Sequence, residues 1–341
     1  MKIARTIEAL RDAPGPICLA AGFFDGVHLG HQEVLDSARD RARTLGGAAW
    51  ALTFDPHPLK ILVPAAAPPL LTGSAHKLIL LARRGMDGAI VLPFTARTAA
   101  IAPDAFLAQL AHGIPALRAI FVGADWTFGH GGRGDVAQLV RWAAARGITI
   151  TVEPPVTFGG APISSSRIRS AVADGRLDEA AAMLGRPFSI YGDVVHGDGI
   201  GRRLGYPTIN VDPRNEVRPP FGVYAVRAIF DGQVRDGVCS HGLRPTLHPG
   251  ATRPTIEVHL FDWDGDLYGH EVDVFLIALL RPEQRFSSRE TLVSRIKADT
   301  AAARALLNTP AQIIAWNNAL QTWRPDCIVT PDQQKYKERR H

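Results

Sequence analysis

The chain has 341 residues, of which 46% are hydrophobic and 21% charged, with a formal net charge of +5 and a pI near 9.3. That length allows two ordinary globular domains, each with a real core. No basic run is interleaved with aromatics, so nucleic acid is not an expected partner, whereas anionic small substrates suit the charge equally well.

Up to about residue 183, apolar strand candidates alternate with helical stretches. The strands are PICLAAG, AAWALTF, GAIVLPF, RAIFVGA and ITITVEP; SAHKLILLARRG and APDAFLAQLAHGI are among the helices between them. This alternation predicts βαβ units and a parallel sheet, an α/β domain over residues 1–183. Ligands of such sheets bind beyond the carboxyl ends of the strands. Beyond AAMLGRP, at 181–187, the texture changes. SIYGDVVHGD, YPTINVD, GVYAVRAIFDG, QVRDGVCS, PTIEVHLFDWDGDLYG and HEVDVFLIALL follow one another between Gly, Pro and Asp turns with no helix between them. A small meander or Greek-key β-barrel over 184–308 is expected, closed by a helix in SSRETLVSRIKADTAAARALL with Ser287 or Ser288 as its cap. Residues 309–341 read as an extension with one short helix, AQIIAWNNALQTW, and a polar tail.

Cys18, Cys239 and Cys327 are isolated, which predicts neither a disulfide framework nor a CxxC metal site. The N-terminal MKIARTIEALRD has no apolar signal core, and VFLIALL is too short to span a membrane. A cytoplasmic location with no membrane partner is the expectation.

GFFDGVHLGHQEVL, residues 22–35, puts His28 and His31 where a buried strand turns into a helix whose Val34, Leu35, Ala38 and Ala42 share one face. A helix N-terminus attracts phosphate, and Gly30 offers close backbone approach. Two hydrogen-bonded histidines at a cap and a grip on a leaving pyrophosphate are equally good readings of these residues; a zincin-type metal pair lacks its Glu. In APISSSRIRSAVADG, three serines precede a helix that carries Arg167 and Arg169. Arginine in a first turn opposes the helix dipole, so an anion beside Ser165, Ser166 and Arg167 would offset it.

HxGH followed by a late ISSSR helix start resembles the nucleotidyltransferase superfamily. FDGVHLGHQ, TFDPHP, VGADWTFG with Asp135, and ISSSRIR occur in order. They are followed by MLGRPFSIYGDVVHGDGIGRRLGYPTIN, PPFGVYAV, GLRPT, PTIEVHLFDWDGDLYG and LRPEQRFSS. This ordered series resembles the bacterial bifunctional riboflavin kinase/FMN adenylyltransferase, or FAD synthetase, family over roughly residues 15–305. The resemblance implies a Rossmann-like nucleotidyltransferase domain and a riboflavin kinase barrel. Riboflavin, FMN and ATP would be the ligands, FMN and FAD the products, and Mg2+ the metal.

It further implies ATP contacts at Phe24, Asp25, Gly26, His28, His31, Ser165, Ser166 and Arg167, with the two histidines catalytic, and FMN contacts at Asp55, Pro56, His57, Asp125 and Thr127. In the barrel it implies ATP contacts at Gly197, Gly201, Arg202, Pro207 and Thr208, the Gly-rich loop 196–206 acting as a flap. Thr208 and Asn210, two apart on an extended strand, would hold Mg2+. Glu257 would be the general base, and Arg281, Glu283 and Phe286 would contact flavin. Phe23, Thr127 and Gly132 depart from the family pattern. They leave room for a kinase whose first domain is inactive or acts on another acceptor, and the basic pI for a non-catalytic flavin- or nucleotide-binding regulator.

Overall fold

A computed structural model describes residues 1–243 and 254–322. Arg244, Pro245 and Thr246 of the GLRPT motif, Cys327 and the basic tail lie outside the described residues. The chain separates into two compact units. One comprises Met1–Pro68 and Ser74–Ser164; the other comprises Pro69–Gly73 and Ser165–Gln321.

The first unit is built on β1 (Lys2–Ala4), β2 (Ile17–Ala21), β3 (Ala48–Asp55), β4 (Gly88–Pro93), β5 (Leu117–Gly123) and β6 (Thr149–Glu153). Its helices are α1 (Leu29–Thr44), α2 (Pro58–Leu62), α3 (Ser74–Arg83), α4 (Ala96–Ala99), α5 (Pro103–Gly113) and α6 (Val136–Ala144). Among the described residues the sheet runs β1-β4-β3-β2-β5-β6, and every pair in it is parallel. The five strand candidates of this half are all present; the three-residue β1 is too short to carry a periodic signal. Parallel strands are covered on both faces, so they read as unbroken apolar runs, and all five residues of β2 are buried. One face packs on α1 and α3 through Val34, Leu35, Ala38, Leu78 and Leu81. The other packs on α5 and α6 through Phe106, Leu107, Leu110 and Leu139. After β2 the chain moves one way across the sheet to β3 and β4, then returns to place β5 on β2's other side. The β2/β5 border is therefore the topological switch point, where a ligand crevice opens at the carboxyl ends. A short ribbon of β7 (Thr157–Phe158) and β8 (Ala161–Pro162) follows.

The second unit starts with α7 (Ser165–Ala173) and α8 (Leu177–Leu184). The helix begins at Ser165, so Ser164 alone of the three serines precedes it; Ser165 and Ser166 already belong to its first turn. Then come β9 (Ser189–Val195), the one-turn α9 (Ile200–Arg203), β10 (Ile209–Pro213), β11 (Gly222–Phe230), β12 (Gln233–Gly242), β13 (Thr255–Leu260) and β14 (Glu271–Pro282). These strands close an antiparallel barrel in the order β10-β13-β12-β11-β14-β9. All nine residues of β11 are buried, because one face fills the barrel and the other lies under α10 (Arg289–Leu307) and α11 (Pro310–Thr322). Ser288 caps α10, accepting from the Thr291 amide at 3.2 Å. Trp316 of α11 lies beside Phe275, and the buried Arg227 stacks over its indole while donating to the carbonyls of Leu307 and Gln312.

Pro69–Gly73 is fastened to the barrel. Asn215, 2% exposed, donates to Leu71 O at 2.6 Å and Ser189 O at 3.0 Å and accepts from Tyr191 N at 2.8 Å. Leu70 O accepts from the amides of Glu216 and Val217, Leu70 N donates to Glu216 Oε2, and Arg169 Nε donates to Pro69 O at 2.8 Å.

Candidate active sites

In the first unit, the turn between β2 and α1 is strained. Phe24 (φ 55°), Gly26 (φ 82°) and Val27 (φ 42°) lie in the left-handed region. For a β-branched residue such as Val27 that conformation is costly, and such strain collects at functional sites. Gln32, itself buried, clamps the turn by donating to Val27 O at 2.8 Å. His28 is the N-cap of α1, its Nδ1 accepting from the His31 amide at 3.3 Å. That bond fixes the tautomer and leaves the proton of the neutral ring on Nε2. The two imidazoles stack with centroids 3.6 Å apart, and Phe24 meets His31 edge-on at 5.4 Å. Gly30 has a second task beyond the expected close approach: a Cβ there would stand 3.3 Å from the His28 ring, so glycine makes room for the imidazole.

His31 Nδ1 is buried without a hydrogen-bond partner. Its pKa lies well below the ordinary value, first because of burial and then because His28 and Lys77 repel a second positive charge. A neutral imidazole with an unpaired nitrogen is a group waiting for a ligand.

Around this turn stand the carboxyl ends of the neighbouring strands. Asp55 closes β3, Asp55–Pro56 is cis, and His57 caps α2 by accepting from the Leu59 amide at 3.2 Å. Phe23 lies over His57 at 4.8 Å, so the unexpected bulky ring is one wall of the β3 turn. After β5, Asp125 and Thr127 are exposed on a loop, with Trp126 stacked on Phe128 at 4.9 Å. Gly132 has φ 65° and approaches Thr127 Oγ1, a position that suits glycine. Ser165, Ser166 and Arg167 form the first turn of α7, in the second unit; Ser166 Oγ accepts from Arg169 at 3.5 Å.

In the barrel, Asn210 on β10 pairs directly with Glu257 on β13, and the Thr208 hydroxyl donates to Glu257 Oε1 at 3.4 Å. Thr208, Asn210 and Glu257 therefore share one face. Along β13, Ile256, Val258 and Leu260 are buried while Thr255, Glu257 and His259 are half-buried, so period-2 alternation aims Glu257 away from the barrel core. Two pockets meet here. One is lined by Glu257, Ser240, Arg281, Glu283 and Phe286; the other by Arg202, Pro207, Trp263, Asp266 and Tyr268. Thr208 lines both.

The loop 196–206 lines both pockets, through Gly201, Leu204 and Tyr206 in the first and Arg202 in the second. A Cβ on Gly197 would overlap the Asn210 carboxamide, and one on Gly201 would overlap the Tyr206 carbonyl and lie 3.0 Å from the Thr208 hydroxyl. His196 stacks on Tyr268 at 3.9 Å, and Arg289 of α10 donates to Arg203 O at 2.9 Å. Arg281 grips the buried Asp299 through Nε and Nη2 and stacks over Phe286 at 5.4 Å. Cys239 is raised to about 12 by burial and by the Glu257 carboxylate, so it remains a thiol. The donor set at the pocket junction is a hydroxyl, a carboxamide and a carboxylate, oxygen chemistry that suits Mg2+ shared with phosphates.

A family model for FAD synthetase matches residues 11–167, and one for riboflavin kinase matches residues 184–307. The bifunctional riboflavin kinase/FMN adenylyltransferase of Escherichia coli K12 is 39% identical over 89% of this chain and 97% of its own. Its counterpart from Pseudomonas fluorescens is 37% identical over 90% and 98%. The chain belongs to the bifunctional riboflavin kinase/FMN adenylyltransferase family. A crystal structure described as a macrolide-efflux protein from Streptococcus pneumoniae shares the fold, with a TM-score of 0.74 and 29% identity over 89% of this chain and 98% of that one. Among the described residues here, no helix is long and apolar enough to cross a membrane.

For this family member, the geometry adds groups that motif reading missed. Lys77 lies buried on α3 and reaches the ends of β2 and β3. Its signal was present: a lysine on the apolar face of SAHKLILLARRG. Asp299 on α10 orients Arg281; an acidic residue on a helix that covers a barrel carried no comparable signal.

Proposed function

We propose that the barrel transfers the terminal phosphoryl group of ATP to riboflavin, and that the first unit joins AMP from a second ATP to FMN, releasing pyrophosphate. One observation carries the kinase half: Thr208, Asn210 and Glu257 converge where two pockets, both lined by a glycine-rich loop, meet. Riboflavin belongs in the pocket of Arg281, Glu283 and Phe286, and ATP in that of Arg202 and Pro207; Gly197 and Gly201 are assigned to the ATP phosphates as parts of the same loop, Gly201 standing on the wall of the first pocket. Glu257 takes the proton of the terminal ribityl hydroxyl as that oxygen bonds to the γ-phosphorus of ATP and the bond to the β-phosphate oxygen breaks, releasing ADP. Thr208 and Asn210 would hold Mg2+, which supplies charge neutralisation on the triphosphate.

In the first unit, an FMN phosphate oxygen bonds to the α-phosphorus of ATP while the bond to the β-phosphate oxygen breaks. The nucleophile is already anionic, so the protein positions reactants and receives the leaving charge. His28 Nε2–H, His31 and the N-terminus of α1 are the donors for that charge. Ser165, Ser166 and Arg167, in the first turn of α7, are assigned to nucleotide phosphate binding on the family resemblance; support comes from an arginine set against the dipole of its own helix. Asp55, Pro56, His57, Asp125 and Thr127 are assigned to FMN, at the carboxyl end of β3 and on the loop after β5, strands that adjoin or flank the switch point. The cytoplasm is the proposed compartment, in keeping with the buried free thiols Cys18 and Cys239.

The test is incubation of purified protein with riboflavin, ATP and Mg2+, followed by chromatographic separation of riboflavin, FMN and FAD. FAD is the expected end product. FMN alone would remove the adenylyltransferase half of the proposal, and no product would remove both.

A further inference from the structure

Lys77 is an unusual residue for its place. It is 7% exposed on a helix whose neighbouring Leu78, Leu80 and Leu81 are core residues. A methionine or leucine would fill that volume without burying a charge, and a buried ammonium is costly unless its protons are all bonded. They are: Nζ donates to Thr53 Oγ1 at 3.0 Å, to Phe23 O at 3.2 Å and to Phe54 O at 3.2 Å. Thr53 Oγ1 in turn donates to Phe23 O at 3.0 Å. Phe23 opens the strained turn that leads to His28 and His31, and Phe54 stands just before Asp55, Pro56 and His57. One side chain thus ties together two turns that enter the site from different strands.

We propose that Lys77 is a positioning residue for adenylyl transfer: its ammonium registers the His28/His31 turn against the end of β3 and keeps a positive charge within reach of the histidine pair. The inference rests on the adenylyltransferase reading above. The groups that face this charge are Asp55 from β3, Asp25 from the β2–α1 turn, and His31 from α1, with His28 stacked on His31. Because His31 is held neutral, Lys77 keeps a positive charge beside it at neutral pH. Burial lowers Lys77 to about 8, with Asp55 and Asp25 opposing the shift. The charge is therefore lost as the pH rises through that value, and adenylyl transfer should carry a basic limb there.

FAD formation from supplied FMN and ATP tests this, with riboflavin phosphorylation by the same protein as the internal reference. Lys77→Met should lower kcat for FAD formation about 100-fold, as a misregistered site does, while the kinase rate stays within about twofold. The basic limb should vanish in Lys77→Met. Lys77→Arg, whose charge persists at high pH, should restore part of the rate and carry it to higher pH. Thr53→Val removes one acceptor without changing shape and should move the limb to lower pH, which decides the matter even if Lys77→Met does not fold.

The proposal is overturned if folded Lys77→Met keeps wild-type kcat, or if the basic limb survives in that variant or stays in place in Thr53→Val. Wild-type protein that makes no FAD from FMN overturns the adenylyltransferase reading, and this inference falls with it; FAD from the wild type with unchanged Lys77 variants overturns the inference alone.

Discussion

Replacing Glu257 by Gln separates the two proposed reactions. The amide keeps the size of the side chain and an oxygen that still accepts from the Thr208 hydroxyl, 3.4 Å away in the wild type. The pairing of Asn210 with residue 257 across β10 and β13 is a backbone property and survives. What disappears is the basicity of the carboxylate that takes the ribityl proton. A positioned general base contributes two to four decades of rate, which at about 1.4 kcal/mol per decade is roughly 3–6 kcal/mol of transition-state stabilisation. FMN formation from riboflavin should therefore fall about 100- to 10,000-fold. FAD formation from supplied FMN should be unchanged, because no adenylyl-transfer residue lies on β13. The assay is initial-rate chromatography of both products from one preparation, with thermal unfolding as the check on the fold. A Glu257→Gln protein that phosphorylates riboflavin within about tenfold of wild type would refute Glu257 as base.

Four further outcomes follow from the same geometry. Asn215→Ala removes its bonds to Leu71 O, Ser189 O and Tyr191 N, and three such losses should cost roughly 3–5 kcal/mol in urea unfolding; a change under about 1 kcal/mol would show that Pro69–Gly73 is not a structural part of the barrel unit. Trp316→Ala removes a ring 8% exposed, stacked by Arg227 and packed on Phe275, and should cost about 3–5 kcal/mol; an unshifted Tm would mean that α11 adds nothing to the barrel. His31 is held below its unfolded value, so the unfolded chain binds the extra proton first. Its contribution to stability should be complete above the unfolded value of 6.5 and be lost as the pH falls from there toward the folded pKa. His31→Asn should flatten that part of the stability–pH curve, and an identical curve would refute the shift. Wild-type protein should also take up protons on binding ATP in mildly acidic buffer, read by calorimetry in buffers of different ionisation heat.

How much of this was legible in the chain depends on the range of the interaction. Strands β2 to β5 could be read because both faces of a parallel sheet's interior are buried, the edge strand β6 from its β-branched run Thr149–Val152, and the stripe Val34, Leu35, Ala38 and Ala42 because a helix repeats every 3.6 residues. Ser288 could be read as a cap because its bond to Thr291 spans three residues. The order of motifs named both halves of the enzyme, since HxGH, PTIN and PTIEVHLFD are contiguous segments whose chemistry is written in adjacent residues.

The tertiary structure alone decided what contiguous reading has no access to. It stacked His28 on His31 and left His31 neutral, because burial sets a pKa and burial is a property of everything packed around the ring. Only in three dimensions does Glu257 meet Asn210 and Thr208, which lie some fifty positions earlier in the chain. Lys77 became intelligible only when folding brought the ends of β2 and β3 to its ammonium. Pro69–Gly73 has no periodicity to betray it; its backbone bonds go to residues near 215, and α7 and α8 group with the barrel by the same kind of distant contact. Sequence determined which elements form and which chemistry they carry, because propensity and pattern act over a few residues. Tertiary packing determined which charges survive burial and which side chains meet, because those depend on distances that only the closed fold sets.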